Sequence, residues 1–273
     1  NLWNDGGFFP NGLMGFLGGF QIAFFAFVGI ELVGTAAAET KDPCTTLPKA
    51  INAIPVRLAL FYVLALLAIT AVIPWRKVVP GVSPFVSLFG LAGFGAAASV
   101  MNFVLLTAAA SSDNSGLYST SRMMYGLALD SQAPSRFRKL SSNNVPRNAL
   151  VASCLLLLCG ITFLYTSDSI MQAFALVTTV AALLFLFTWS LIVVCYIVYR
   201  HKRPQLHNES VYKMPGGVPM CWVVLAFFAT SLVILTLDPT TRIAVLITPI
   251  WFAFIGAMYF VYRRREQHKE ALR

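Results

Sequence analysis

The chain has 273 residues, 58% of them apolar and 11% charged, with a formal net charge of +9. Soluble domains carry roughly a quarter charged residues, and no soluble interior of this length hides so much hydrocarbon, whereas a bilayer removes the need to hide it. No soluble basic domain exists to carry the positive balance to nucleic acid, which is excluded as a partner class.

The five cysteines (Cys44, Cys154, Cys159, Cys195, Cys221) show no C-x-x-C spacing, and three sit in apolar runs. They read as buried thiols, with neither a disulfide framework nor a metal site. His201, His207 and His268 all fall in basic polar segments, so no imidazole cluster forms. Without a Ser/His/Asp, metal-ligand or phosphate-loop pattern, the chain is expected to be neither an enzyme nor a cofactor protein. It opens on Asn1, its first methionine is Met14, and no signal-peptide pattern precedes that residue. A piece of a longer polypeptide is the expectation.

Apolar stretches of about 20 residues cross the hydrocarbon core. Seven are predicted: Leu13–Ala38, Val56–Ile73, Phe94–Tyr118, Ala149–Tyr165, Met171–Tyr199, Pro219–Leu237 and Arg242–Tyr262. The expected fold is therefore an all-α, polytopic membrane protein forming a single membrane domain over 1–273, with the lipid bilayer as its surroundings. The segments Glu39–Arg57, Asp113–Arg147, Arg200–Lys213 and Arg263–Arg273 carry 17 of the 20 Lys and Arg residues. That bias predicts these four on the cytoplasmic side and Asn1 outside.

The first span contains Glu31 as the sole carboxylate in its middle. A charge there is costly unless it faces protein or water. Gly29, two residues before it, offers the freedom to leave helical geometry. A break around Phe27–Ile30 would expose carbonyls and N–H groups able to hold a zwitterion by both ends. The other arrangement is a continuous helix with a neutral Glu31 bonded to a neighbouring hydroxyl, and residue types leave both open. Gly15-x-x-x-Gly19 in the same span reads as a close-packing pair for another helix.

The third span runs into a polar stretch from Ser111 to Arg122. Ser111, Ser115 and Arg122 share one helical stripe, and Asn114, Tyr118 and Ser121 the adjacent one. Polar groups on every face exclude lipid all round. The stretch either lines a hydrated cavity or has left the membrane, and residue types incline to the exit. In the fifth span Thr178 and Thr179 are expected to bond carbonyls one turn back, and Trp189 to serve packing or the membrane interface.

Phe27-Val28-Gly29-Ile30-Glu31, followed by Ala38-Glu-Thr-Lys-Asp-Pro43 and Leu47-Pro-Lys-Ala-Ile51, resembles a signature of the amino-acid/polyamine/organocation permeases. The run Asn114-Ser-Gly-Leu-Tyr-Ser-Thr-Ser-Arg-Met-Met-Tyr-Gly-Leu-Ala128, with Ala133-Pro134, is similar to that family's eighth-helix signature. The segments from Asn1 to Gly12 and from Tyr212 to Pro215 resemble its bacterial branch for D-serine, D-alanine and glycine. The resemblance implies a LeuT-like fold of two inverted five-helix repeats and two accessory helices. This chain would supply helices six to ten plus eleven and twelve, with helices one to five of the same permease as its partner.

The resemblance further implies a gate at Phe25, amine-binding carbonyls at Ala26, Phe27 and Val28, a hinge at Gly29 and the sixth-helix glutamate at Glu31. Asn114, Ser115 and Gly116 would stand near the substrate, which turns the polar stretch toward cavity lining. Asp113 departs from the pattern, where relatives carry a small uncharged residue. The implied function is uptake of a small neutral amino acid by proton symport across the bacterial inner membrane, with Glu31 linking proton state to the break. The alternatives are a permease of the same family for aromatic amino acids, proline or GABA, and a non-transporting receptor or scaffold on the same fold.

Overall fold

The computed structural model describes the whole chain except Asn1, Asn4, Asp5, Phe8, Ala38, Glu39, Pro80, Ser167, Asp168, Asp238, Leu272 and Arg273; the side chains at 21, 163, 164, 166, 239, 240 and 265–271 are likewise not described. Parts of the Asn1–Gly12 segment, the Ala38 end of the first expected span, Glu39 of the neighbouring signature and Arg273 of the last basic segment thus lie outside the described residues.

Every regular element among the described residues is helical. The first expected span is three short helices, α1 (Gly12–Gly18), α2 (Phe20–Ala26) and α3 (Leu32–Thr35). The next helix, α4 (Pro43–Leu58), passes through a five-residue π-helical turn at Ala59–Val63 into α5 (Leu64–Val72), giving one 30-residue run. It starts well before the expected Val56, because Pro43 occupies a first-turn position, where its missing N–H costs nothing. The polar residues expected ahead of the second span form instead the exposed end of a helix. After α6 (Pro84–Leu91) comes α7 (Gly95–Leu129), whose 35 residues make ~52 Å of helix. That exceeds the ~30 Å hydrocarbon thickness, so the polar stretch after Ser111 remains helical and does not end the element. The chain continues through α8 (Arg147–Thr166), α9 (Ile170–Lys202), α10 (Pro204–Glu209), α11 (Gly217–Leu237) and α12 (Pro239–Ala271).

Among the described residues, five runs are long and apolar enough to cross a membrane: Pro43–Val72, Gly95–Leu129, Ile170–Lys202, Gly217–Leu237 and Thr241–Arg264. The other two expected spans correspond to α8, which is shorter, and to the broken α1–α3 stretch.

A small buried core joins four helices. Phe24 of α2, Ala182, Leu183 and Leu186 of α9, Leu235 of α11 and Ala244 of α12 pack together. Most large apolar side chains point outward, Phe61 at 70% and Ile250 at 67% exposure. Such a surface would aggregate in water and suits lipid or further helices. The expected burial of the cysteines holds only for Cys221; Cys44, Cys159 and Cys195 are exposed and Cys154 is half-buried. Their helices turn those faces outward, where a thiol is tolerated as a small apolar group. Gly15 and Gly19 are also exposed.

Many Ser and Thr hydroxyls on the spans bond carbonyls of their own helices. Thr178 donates to the Phe174 carbonyl at 2.9 Å and Thr179 to that of Ala175 at 2.6 Å, as expected. Longer reach is rare: Ser119 of α7 bonds Thr35 of α3 at 3.3 Å, and Thr120 bonds Ser153 of α8 at 3.3 Å. On the loop side, α10 docks onto α9 through His207, whose ring meets Tyr196 and Tyr199 edge-on at 5.8 and 6.3 Å.

Candidate functional site

The helical ladder fails after α2. Phe27 and Val28 donate their N–H groups to Phe24 and Phe25, three residues back, at 3.2 and 3.1 Å. These tight bonds close a helix end. Gly29 then takes φ +106°, a conformation that side-chain-bearing residues rarely adopt. With the Phe25 carbonyl already engaged by Val28, the Gly29 N–H turns to the Glu31 carboxylate, 3.1 Å from Oε1 and 3.2 Å from Oε2. Helical bonding resumes where Leu32 donates to the Gly29 carbonyl at 3.1 Å. Of the two arrangements left open by residue types, the broken one is present, and Glu31 is bonded to a backbone amide and not to a hydroxyl.

A second donor reaches the same carboxylate. Trp189 Nε1, on α9, lies 3.3 Å from Glu31 Oε2. Trp189 does pack, against Phe185 at 6.0 Å and Phe228 at 6.2 Å, but its indole N–H corrects the purely packing or interfacial role expected for it. A buried indole seeks an acceptor, and the break leaves a carboxylate within its reach.

The carbonyls divide into free and occupied. Among the described residues, no donor meets the carbonyl oxygens of Phe27 or Val28. The Ala26 carbonyl, expected with them to bind an amine, instead accepts a 2.9 Å bond from the Tyr62 hydroxyl. The cause is the π turn, which carries Tyr62 to the break and sets its ring 5.8 Å from that of Phe27.

Two grooves adjoin the break. One, of about 390 Å³, runs along Ala26–Ile30 between Arg57 and Tyr62 on one side and Ser112 and Ser115 of α7 on the other. The second, of about 330 Å³, lies between α3 and α7 and is lined by Leu32, Thr35, Ala36, Asn114, Ser115 and Tyr118. Both are of the size small ligands occupy, and Ser115 borders both. The fold thereby brings together Ala26, Phe27, Val28, Gly29, Asn114 and Ser115. Gly116 sits half-buried beside Ser115 on α7.

Phe25 lines neither groove and packs edge-on against Phe174 of α9 at 6.4 Å. The aromatic rings that line the two grooves are Phe27, Tyr62 and Tyr118. Asp113 is exposed and outside both grooves. Tyr62 and Arg57 carry no site expectation from residue types, and Trp189 only a packing or interfacial one. Chemically, the region offers bare carbonyl oxygens for an ammonium, a guanidinium and a side-chain amide for an anion, and one carboxylate that pins the backbone between them.

A model of the amino acid permease family matches residues 1–272. The D-serine/D-alanine/glycine transporter of Escherichia coli (strain K12) is 57% identical over 266 residues, 97% of this chain and 57% of that protein. The amino-acid permease AapA of Bacillus subtilis (strain 168) is 48% identical over 265 residues, again 97% of this chain and 57% of the relative. The probable threonine/serine transporter YbxG of the same strain is 35% identical over 262 residues, 96% of this chain and 56% of the relative. The chain thus spans little more than half the length of the curated relatives it matches. No solved structure matches it. A multi-pass helical architecture, a helix broken beside a glutamate and a family match over nearly every residue lead to one assignment: the chain belongs to the amino acid permease family.

Proposed function

We propose that this chain forms the second half of a secondary transporter that takes up small neutral amino acids of the D-serine, D-alanine and glycine type. It would supply the second inverted repeat, helices six to ten, and helices eleven and twelve. Helices one to five of the same permease would complete the site. The basic segments favour a bacterial inner-membrane topology with the start of this chain in the periplasm and its end in the cytoplasm. The substrate class rests on the 57% identical relative, which bears that name.

The observation that carries the transport reading is the non-helical stretch Phe27–Glu31. Its carbonyls at Phe27 and Val28 have no donor among the described residues, beside a carboxylate that holds the break. Main-chain oxygens bind an ammonium without regard to the side chain it carries, which suits small substrates that offer little else to grip. Glu31 would couple the proton. Ionised, it accepts charge-assisted bonds, about twice the strength of neutral ones. Protonated, it holds the Gly29 N–H more weakly, so charge state and break geometry move together. Alternating access would then rock one repeat against the other around this midplane site.

The test is uptake by the complete permease in proteoliposomes under an imposed pH gradient. Glu31→Gln should abolish gradient-driven accumulation of glycine while leaving substrate counterflow. Accumulation at the unaltered rate would remove Glu31 from coupling, and absence of any counterflow by the unaltered permease would favour a receptor or scaffold.

A further inference from the structure

The carboxylate of Glu31 holds the amide side of the break; its carbonyl side is held by Tyr62. The Tyr62 hydroxyl donates to the Ala26 carbonyl at 2.9 Å across 36 residues of sequence. That carbonyl is the last of α2 and has no helical partner of its own. The phenol comes from the π-helical turn Ala59–Val63, the one departure from α-geometry inside the long α4–α5 run. A π turn inserts a residue and rotates everything beyond it by about one residue's step, and such turns cluster at functional sites. Here the rotation brings Tyr62 into the wall of the groove that runs along Ala26–Ile30, with its ring against Phe27.

We infer that Tyr62 is an affinity-setting residue, an internal competitor whose hydroxyl occupies the Ala26 carbonyl until a substrate ammonium displaces it. This rests on the transport reading proposed above. The two neighbouring carbonyls, Phe27 and Val28, stand open in the same groove, so an ammonium arriving there meets two free acceptors and one that is capped. A neutral phenol forms the weaker bond and an ammonium the stronger, charge-assisted one. The exchange is therefore favourable yet costs the substrate the phenol's bond. Binding is correspondingly weaker than three bare carbonyls would give, which suits a carrier that has to release its cargo.

The experiment measures glycine uptake by the complete permease in proteoliposomes for the unaltered protein and for Tyr62→Phe, which keeps the ring contact with Phe27 and removes the hydroxyl. KM should fall about fivefold, the equilibrium equivalent of one neutral hydrogen bond. A second readout places 3-fluorotyrosine at position 62 and follows its fluorine resonance. Glycine should shift that resonance saturably, toward the position of a solvent-exposed fluorotyrosine. Uptake by the unaltered protein with a Tyr62→Phe KM that is unchanged or raised would overturn the inference while leaving the transport reading standing. A resonance unmoved by saturating glycine, in a protein that transports it, would do the same. No uptake by the unaltered permease would remove the transport reading and this inference with it.

Discussion

Trp189 donates its indole N–H to Oε2 of Glu31 at 3.3 Å, joining residues 158 positions apart and tying the middle of α9 to the break after α2. The carboxylate faces two donors at once, that indole and the Gly29 amide. Packing against Phe185 and Phe228 fixes the indole plane. Any movement of α9 relative to α2 is therefore felt at the Gly29 amide that Glu31 holds. The broken helix and the neighbouring span form a single mechanical unit.

Trp189→Phe should separate the bond from the packing, since it retains an aromatic ring among Phe185 and Phe228 while removing the donor. A hydrogen bond to a charged acceptor contributes about 1.5–3 kcal/mol, so the Glu31–Gly29 contact should open about ten- to hundredfold more often. Hydrogen exchange at the Gly29 amide, measured in detergent-solubilised protein, should rise by that factor. Trp189→Ala should in addition lower thermal stability, because it also removes the half-buried ring that packs against Phe185 and Phe228. Equal exchange in the unaltered and Trp189→Phe proteins would show that Glu31 holds its position without the indole.

Much of this architecture is written in local residue chemistry. The break was only half legible: a lone carboxylate and a glycine two residues apart inside an apolar run raise it, but residue types left a continuous helix with a neutral Glu31 equally open. Among the described residues, five of the seven expected spans could be read because each is a long apolar run. What escaped notice were contacts made across elements. Trp189 sits mid-span, away from the ends where interfacial tryptophans gather, and that position was a legible signal for a buried acceptor. Tyr62 left no such trace. Its direction depends on a π turn in an Ala-Leu-Phe-Tyr-Val run that looks like any other apolar helix. Pro43 was a start signal passed over in favour of the apolar run that begins later.

His207 makes the docking of α10 sensitive to acid. Its burial against Tyr196 and Tyr199 pushes its pKa below the usual 6.5, and the positive charges of Arg200 and Lys213 push it the same way. A histidine whose folded pKa is lowered stabilises the fold fully above its unfolded pKa. That stabilisation is lost as pH falls from about 6.5 through the lowered folded value. The melting temperature of detergent-solubilised protein should accordingly drop between pH 7.5 and pH 5. In His207→Phe, which cannot titrate, that portion of the drop should vanish. An identical acid profile in both proteins would place the acid sensitivity elsewhere.

The two adjacent polar residues at the groove should behave differently on mutation. Ser115 borders both grooves, but its hydroxyl proton is committed to the Ser111 carbonyl one turn back at 3.0 Å. Asn114 lines the cavity between α3 and α7, and among the described residues its side-chain amide has no hydrogen-bond partner. Only Asn114 therefore has donors to offer a substrate carboxylate without breaking an existing bond. A bond to a charged ligand contributes about 1.5–3 kcal/mol, so Asn114→Ala should raise the KM for glycine uptake by the complete permease about tenfold or more. Ser115→Ala gives up only an intrahelical bond and should change KM less than about fivefold, since the net value of such a bond is about 1 kcal/mol or below. The comparison is internal, because the two residues are neighbours on one helix and any general loosening of α7 would affect both alike. A larger KM effect from Ser115→Ala than from Asn114→Ala would mean that the serine turns from its own helix to the substrate, and that the amide is not the anion-binding group.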